Sequence, residues 1–395
     1  MRLFGAGLVL ALLGAAPITV PEWPVRLADE KPADLAEKFP NSASVALRLL
    51  NQQVEAKDEQ AAGATLRKLA DMGYALSAAG LEQVKRLLAP EVATKFLINA
   101  AALEQSAVRQ TIPVAFGLVE AVAPQPGRRL ATSGVTAKDL FLEARDKSWK
   151  PAGLPGLGSL TGLVTDPRSG TIWAASGVFD QSPAADDVFR GLIAFDPQSG
   201  KIRRKIAAPP DGSPSDITIS ADGTLYASDP ISGAIYRAPP GEDRMDLLVR
   251  SGRLASPQGL ALSADGLLLY VSDYRYGLAV IDLATRKLMR LAAEGPMMLN
   301  GIDGLMRRGS DLIGIQNGAR PIRIVAIRLS RDGLRANQLR VLEQANPAWI
   351  EPTSGFTAGN RLVYVGNAAW DRYGTGGVVQ GEGALVPTEI RSLPL

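Results

Sequence analysis

Two periodicities divide the chain. From Ser42 to about Gln105 apolar residues recur at helical spacing: Val45, Leu49, Leu50 and Val54 share one face and Ala62, Leu66, Leu69 and Met72 another, with Lys57 and Asp58 at the turn between them. This predicts a helical hairpin, then a third helix around Leu81–Leu88, stopped by Pro90, and a fourth around Glu91–Gln105. After "TIPVAFG" the period shortens to that of β-strands, with Gly, Pro, Asp and Ser between short apolar runs, and stays so to Leu395.

The β-rich part repeats itself. "SPQGLALSADGLLLYVSDYRYGLAVIDLAT", Ser256 to Thr285, has a near copy in "SPSDITISADGTLYASDPISGAIYRAPPG", Ser213 to Gly241. Each unit opens with a polar residue, a small or short one and an apolar one: Glu120-Ala121-Val122, Thr161-Gly162-Leu163, Ser215-Asp216-Ile217, Gln258-Gly259-Leu260, Asp303-Gly304-Leu305 and Ser354-Gly355-Phe356. Successive openings lie 41 to 54 residues apart, the length of a four-stranded propeller blade. Within a unit a second strand ("TLYASD", "LLLYVSD", "TIWAAS", "RLVYVGN") and a third ("GAIYRA", "GLAVIDL", "GLIAFDP", "PIRIVAI") follow the first, and a fourth is faint. The longest unit carries an extra stretch, Ser176 to Phe189, read as a loop over one face. The fold expected is an all-β six-bladed β-propeller preceded by a small all-α helical domain. Its divisions are a signal peptide over 1–20, a linker over 21–41, the helical domain over 42–112 and the propeller over 113–395. Leu385–Ile390 is expected to close the ring against Phe116–Val119.

Innermost strands of a propeller start at one face around the central channel, so the six opening residues point to a shared axis. Glu120 and Asp303 bring carboxylates, Gln258 an amide, and Thr161, Ser215 and Ser354 hydroxyls. An oxygen-only set suits a hard cation such as calcium, and two carboxylates at one mouth repel unless a cation neutralises them. Taken singly, each of these residues fits a structural role at a blade start better than a functional one; the combination is what points to a site. Asn300, Asn317 and Asp229 fall near the same face in turn sequences.

Composition narrows the chemistry. The 395 residues contain no cysteine and no histidine, which removes thiol nucleophiles, imidazole bases and soft-metal sites. Catalysis would run on carboxylates, hydroxyls, lysine or an oxygen-ligated metal. The charge of +3, from 43 basic and 40 acidic residues spread along the chain, gives no nucleic-acid surface. At the start, Arg2 precedes an apolar run to Leu13 and the small residues Gly14, Ala15 and Ala16, the grammar of a secretory signal. A periplasmic or secreted protein is expected, with no membrane span after cleavage; an uncleaved anchor is the alternative, because Pro17 directly after Ala16 is awkward for cleavage.

The repeats resemble the gluconolactonase, regucalcin and paraoxonase-like six-bladed propellers over about 280 residues. "PQGLALSADGLLLYVSD" and "IDGLMRRGSDLIGIQNG" are similar to two blades of the sugar-lactone hydrolase branch. The resemblance implies a divalent cation, usually calcium, held by Glu120, Gln258 and Asp303, with glutamine standing where the family has asparagine. It implies Asp303 as general base, and Ser215 in place of the family's substrate-contacting asparagine, followed by Asp216. Thr161 and Ser354 complete the substrate-binding set. The function implied is calcium-dependent hydrolysis of a lactone or related cyclic ester. The alternative is a non-catalytic propeller binding a small ligand or a protein partner, which the substitutions at Gln258 and Ser215 favour. The helical part resembles one tetratricopeptide-type unit, too few repeats to be stable alone; it is expected to lean on the rest of the chain, with a groove for a protein partner as the alternative.

Overall fold

The computed structural model describes residues 20–24, 30–185 and 187–395; of the expected signal segment only Val20 lies among them. Six antiparallel sheets are arranged as blades around a channel. Their innermost strands are Val119–Gln125, Ser159–Thr165, Ile217–Ile219, Pro257–Leu262, Leu305–Arg308 and Gly355–Ala358, so every repeat opening in the sequence marks a blade. Blade 5 also takes on the short parallel strand Ala292–Ala293 beside Arg335–Gln344.

The recurring glycine in the opening triplet has a packing cause. Gly162 N–H donates to Ser215 O at 2.8 Å and Gly259 N–H to Asp303 O at 2.9 Å, joining each inner strand to the next blade. A Cβ would lie 2.5 Å from Ser215 O at Gly162 and 2.4 Å from Asp303 O at Gly259. In blades 1, 2 and 4 the pairing register slips across Val119/Val122, Leu160/Leu163 and Pro257/Leu260. These irregularities fall on the polar openers, where a bulge re-aims a side chain.

The ring closes with a strand from the other end of the chain. Thr388–Pro394 pairs not with Phe116–Val119, as the sequence suggested, but with Ala107–Ile112, which becomes the outermost strand of blade 6. Ile112 is fully buried among Val363, Val365 and Ile390. This strand lies within 42–112, the stretch read as helical, and it explains why the last helix stops at Ala100 rather than Gln105. Beyond that helix, Leu103 bridges to Gln344 of blade 5.

Among the described residues five α-helices precede the propeller: α1 Pro32–Lys38, which falls in the stretch 21–41 expected to be a linker, α2 Ala43–Glu55, α3 Glu59–Asp71, α4 Ala78–Val84 and α5 Pro90–Ala100. Ser42, Asp58 and Ser77 cap α2, α3 and α4 by accepting from Val45, Ala61 and Gly80 N–H. The α2–α3 hairpin, with Leu50, Leu66 and Leu69, and α5, with Phe96, pack around Met298 of the propeller. Val54, assigned to the buried face by periodicity, is exposed at the end of α2. The helices lean on blades 4 and 5: Phe39 lies between Trp23 and Tyr276, at centroid distances of 5.0 and 4.5 Å. Ser42 Oγ donates to Arg275 O at 2.7 Å, Asn300 Oδ1 accepts from Ala43 N at 2.8 Å, and Ala75 N–H donates to Arg320 O at 2.8 Å. No helix among the described residues is long and apolar enough to cross a membrane.

Candidate active site

At the face where the inner strands begin, a cavity of about 210 Å3 is lined by Glu120, Ser215, Gln258 and Asp303 together with Phe179, Gln181, Pro230, Tyr274, Asn317, Glu351 and Trp370. Four of the predicted residues therefore meet. Asp216 and Ser354 line a wider cavity of about 350 Å3 farther along the channel. Thr161 lines neither cavity; it is buried, and its hydroxyl donates to Ser215 O at 2.9 Å. Of the turn residues, Asn317 reaches the cavity. Asp229 instead accepts from Ser213, Ile231 and Ser232 N–H and from the Tyr236 hydroxyl. Asn300 ties the helices to the propeller through Ala43 and Ser44.

The cavity contains three carboxylates and no basic side chain. Glu120, from the first blade, is 8% exposed and accepts from Trp370 Nε1. Asp303, opening the fifth blade, accepts at Oδ2 from Asn317 Nδ2 at 2.6 Å. Glu351, on the segment leading into the sixth blade, accepts from Trp370 N–H at 2.7 Å. Burial pushes all three towards the neutral acid. Glu120 is raised well above the usual carboxylate range by burial and then by the nearby Asp303. Asp303 is raised to about 7 by burial and by Asp216. Glu351 is raised to about 7 by burial and by Asp303 and Asp371, against the lowering effect of the Trp370 N–H.

Among the described residues no hydrogen bond occupies Glu120 Oε1, Asp303 Oδ1 or Gln258 Oε1. These are hard donors in one cavity with uncompensated negative charge, and as a chemical set they fit an oxygen-liganded divalent cation. No group of three or more acidic side chains close enough to hold a metal by themselves occurs among the described residues; a cation here would draw on the amide of Gln258, on substrate or on water as well.

Sequence reasoning missed Tyr274, Glu351, Trp370, Phe179 and Gln181. All but Glu351 sit on loops joining second to third strands of their blades, and Glu351 sits on a connection between blades. A second strand runs antiparallel to the first, so its end returns to the face where the first began. Topology therefore marks the residues after "SD" in blade 4, "ASG" in blade 2 and "VYVGN" in blade 6 as neighbours of the opening residues.

No family model matches the chain, and no curated protein sequence matches it. Solved structures do. A gluconolactonase from Xanthomonas campestris superposes with a TM-score of 0.50 at 17% identity, covering 75% of this chain and 92% of that one. Virginiamycin B lyase from Staphylococcus aureus gives 0.49 at 12% identity, covering 74% and 100%. A PQQ-bound aldose sugar dehydrogenase from Streptomyces coelicolor gives 0.47 at 16%, covering 74% and 99%. The chain shares its fold, a six-bladed β-propeller, with the Xanthomonas campestris gluconolactonase.

Proposed function

We propose that this protein is a cation-dependent hydrolase of a lactone or related cyclic ester, with calcium the foremost cation. The observation that carries the reading is the pair Glu120, buried, and Asp303, half-buried, facing one cavity without a basic partner, each with one oxygen uncommitted. Carboxylates so placed repel one another, and a divalent ion held by Glu120, Asp303 and Gln258 offsets that repulsion. The gluconolactonase that shares the fold lends the reaction class, although the likeness itself extends to the fold alone. The expected compartment is periplasmic or extracellular, on the strength of the apolar N-terminal segment.

When bound, the cation would polarise the ester carbonyl and stabilise negative charge on its oxygen as water adds. The chain supplies the rest. Asp303 Oδ1 takes the proton from the water as its oxygen bonds to the carbonyl carbon, and returns it to the ring oxygen as the C–O bond breaks, while Asn317 holds Oδ2. Glu120, fixed by the Trp370 indole, contributes the second negative charge. Phe179, Tyr274 and Trp370 give apolar walls, and Ser215, Gln181 and Gln258 give polar groups able to orient ring substituents. The cavity is smaller than the roughly 300–1,000 Å3 of drug-sized pockets, which suits a single small ring. Asp216 and Ser354, farther down the channel, would meet only a longer substituent.

The test is hydrolysis of a panel of five- and six-membered lactones, followed by acid release with calcium and after chelation. Calcium-dependent turnover that Glu120→Gln abolishes supports the reading. Saturable lactone binding without turnover in any metal would favour a non-catalytic ligand-binding propeller, the reading to which Ser215 and Gln258 lend support.

A further inference from the structure

Behind Asp303, the amide that holds it is itself held by a hydroxyl to which the reaction above gives no part. Tyr274 OH lies 2.7 Å from Asn317 Oδ1, and Asn317 Nδ2 lies 2.6 Å from Asp303 Oδ2. The chemistry of the two ends leaves one arrangement. A carboxylate only accepts, so it calls for the amide N–H; the phenol then donates to the amide oxygen. The reverse arrangement would set the amide oxygen against the carboxylate.

Tyr274 is itself built into place. Its backbone N–H donates to Ser256 O at 2.9 Å, and its carbonyl accepts from Gly301 N–H at 2.8 Å. Gly301 O accepts in turn from Gly318 N–H at 3.1 Å. The residue after Asn317 must be glycine, because a Cβ at Gly318 would lie 2.3 Å from Tyr274 Cζ. Arg275, next to Tyr274, and Arg320, two residues beyond Gly318, are gripped from behind by the helical segment, through Ser42 on Arg275 O and Ala75, between α3 and α4, on Arg320 O. The wall of the cavity and the face that receives the helices are thus two sides of the same loops.

We infer that Tyr274 is a positioning residue: acting through Asn317, it fixes the place of Asp303 Oδ2 and so the direction in which Oδ1 faces the cavity. Asp303 alone would choose the same edge of the amide, but a single hydrogen bond leaves the amide free to swing about its own side-chain torsions. Held at both ends, it cannot turn its oxygen towards a cation in the cavity. The inference rests on the reading of Asp303 as a cation ligand, and the helices act as the back support of that arrangement.

Two measurements test it. The first is calorimetric titration of calcium into the wild type, Tyr274→Phe, Asn317→Ala and the double variant. Loss of one hydrogen bond predicts about 2- to 12-fold weaker binding in Tyr274→Phe, and the double variant should bind no more weakly than Asn317→Ala alone, because the phenol acts only through the amide. Multiplying losses would overturn the inference. The second needs no cation: in asparagine-labelled protein, the Asn317 side-chain amide, assigned by its absence in Asn317→Ala, is followed by NMR. Tyr274→Phe should raise its hydrogen exchange about tenfold and narrow the separation of its two proton shifts; an unchanged signal refutes the relay. Failure of the wild type to bind calcium would overturn the metal reading while the amide signal still judges Tyr274.

Discussion

Asp216→Asn should stabilise the cation-free protein, and only above mildly acid pH. The Asp216 side chain sits in the channel over Gly162, where an added Cβ would fall 2.8 Å from Oδ1. Burial raises its carboxyl from 3.8 to about 7. Because the folded-state value lies above the unfolded one, the folded protein holds a proton between those values that the unfolded chain releases. Stability attributable to this group is therefore undiminished below about pH 4, falls as pH rises, and is fully lost above about pH 7. Each tenfold change in proton affinity is worth about 1.4 kcal/mol, which sets an upper bound on the order of 4 kcal/mol at pH 8. Solvent reaching the half-buried carboxyl through the channel screens part of that, so about 1–3 kcal/mol is expected. Asparagine keeps the shape and removes the charge. Its strand contacts, Asp216 N to Ser228 Oγ and Ser228 N to Asp216 O, are made by the backbone and persist. Urea unfolding in chelator at pH 4, 6 and 8 measures the difference between variant and wild type. A gap that opens with pH supports the electrostatic account. A variant less stable at pH 8, or equally shifted at all three values, would refute it.

Further outcomes follow from the packing. Ile112→Ala, in the strand that closes the ring, should cost about 2–5 kcal/mol in denaturant unfolding; a surface-like effect would mean that Ala107–Ile112 does not complete blade 6. Ser42→Ala removes both the α2 cap and the bond to Arg275 O, and a loss of about 1–2 kcal/mol is expected by thermal unfolding. Gly318→Ala should displace the Tyr274 ring, lowering stability by about 1–3 kcal/mol and weakening calcium binding in the same preparation. Retention of both properties would show that the loop yields without moving the ring.

The blade count was legible because the opening triplet records a packing necessity: a polar residue at the channel, then a residue small enough to let the next inner strand approach. Gly162 and Gly259 carry that signal directly. The same phase delivered Glu120, Ser215, Gln258 and Asp303 to one cavity. It could not deliver Tyr274, Glu351 or Trp370, which sit on loops of unequal length outside the repeat. The extra length after Gly177 covers a face, as the sequence predicts: Phe179 and Gln181 line the cavity, and Asp180 O accepts from Gly376 N–H of the blade 6 loop at 2.7 Å. The closing strand was missed because "AVRQTI" lies next to helical sequence and pairs across nearly the whole chain. Thr161 shares the phase of the cavity residues, yet its hydroxyl turns to the neighbouring strand. Periodicity places a backbone position; it does not choose a rotamer.

The central claim is a hard cation held between Glu120 and Asp303. Calorimetric titration of calcium into chelator-treated protein, beside Asp303→Ala, tests it most directly. The account predicts micromolar or tighter binding at one site in the wild type and none in the variant. Absence of binding in the wild type, or equal binding by both proteins, would contradict it.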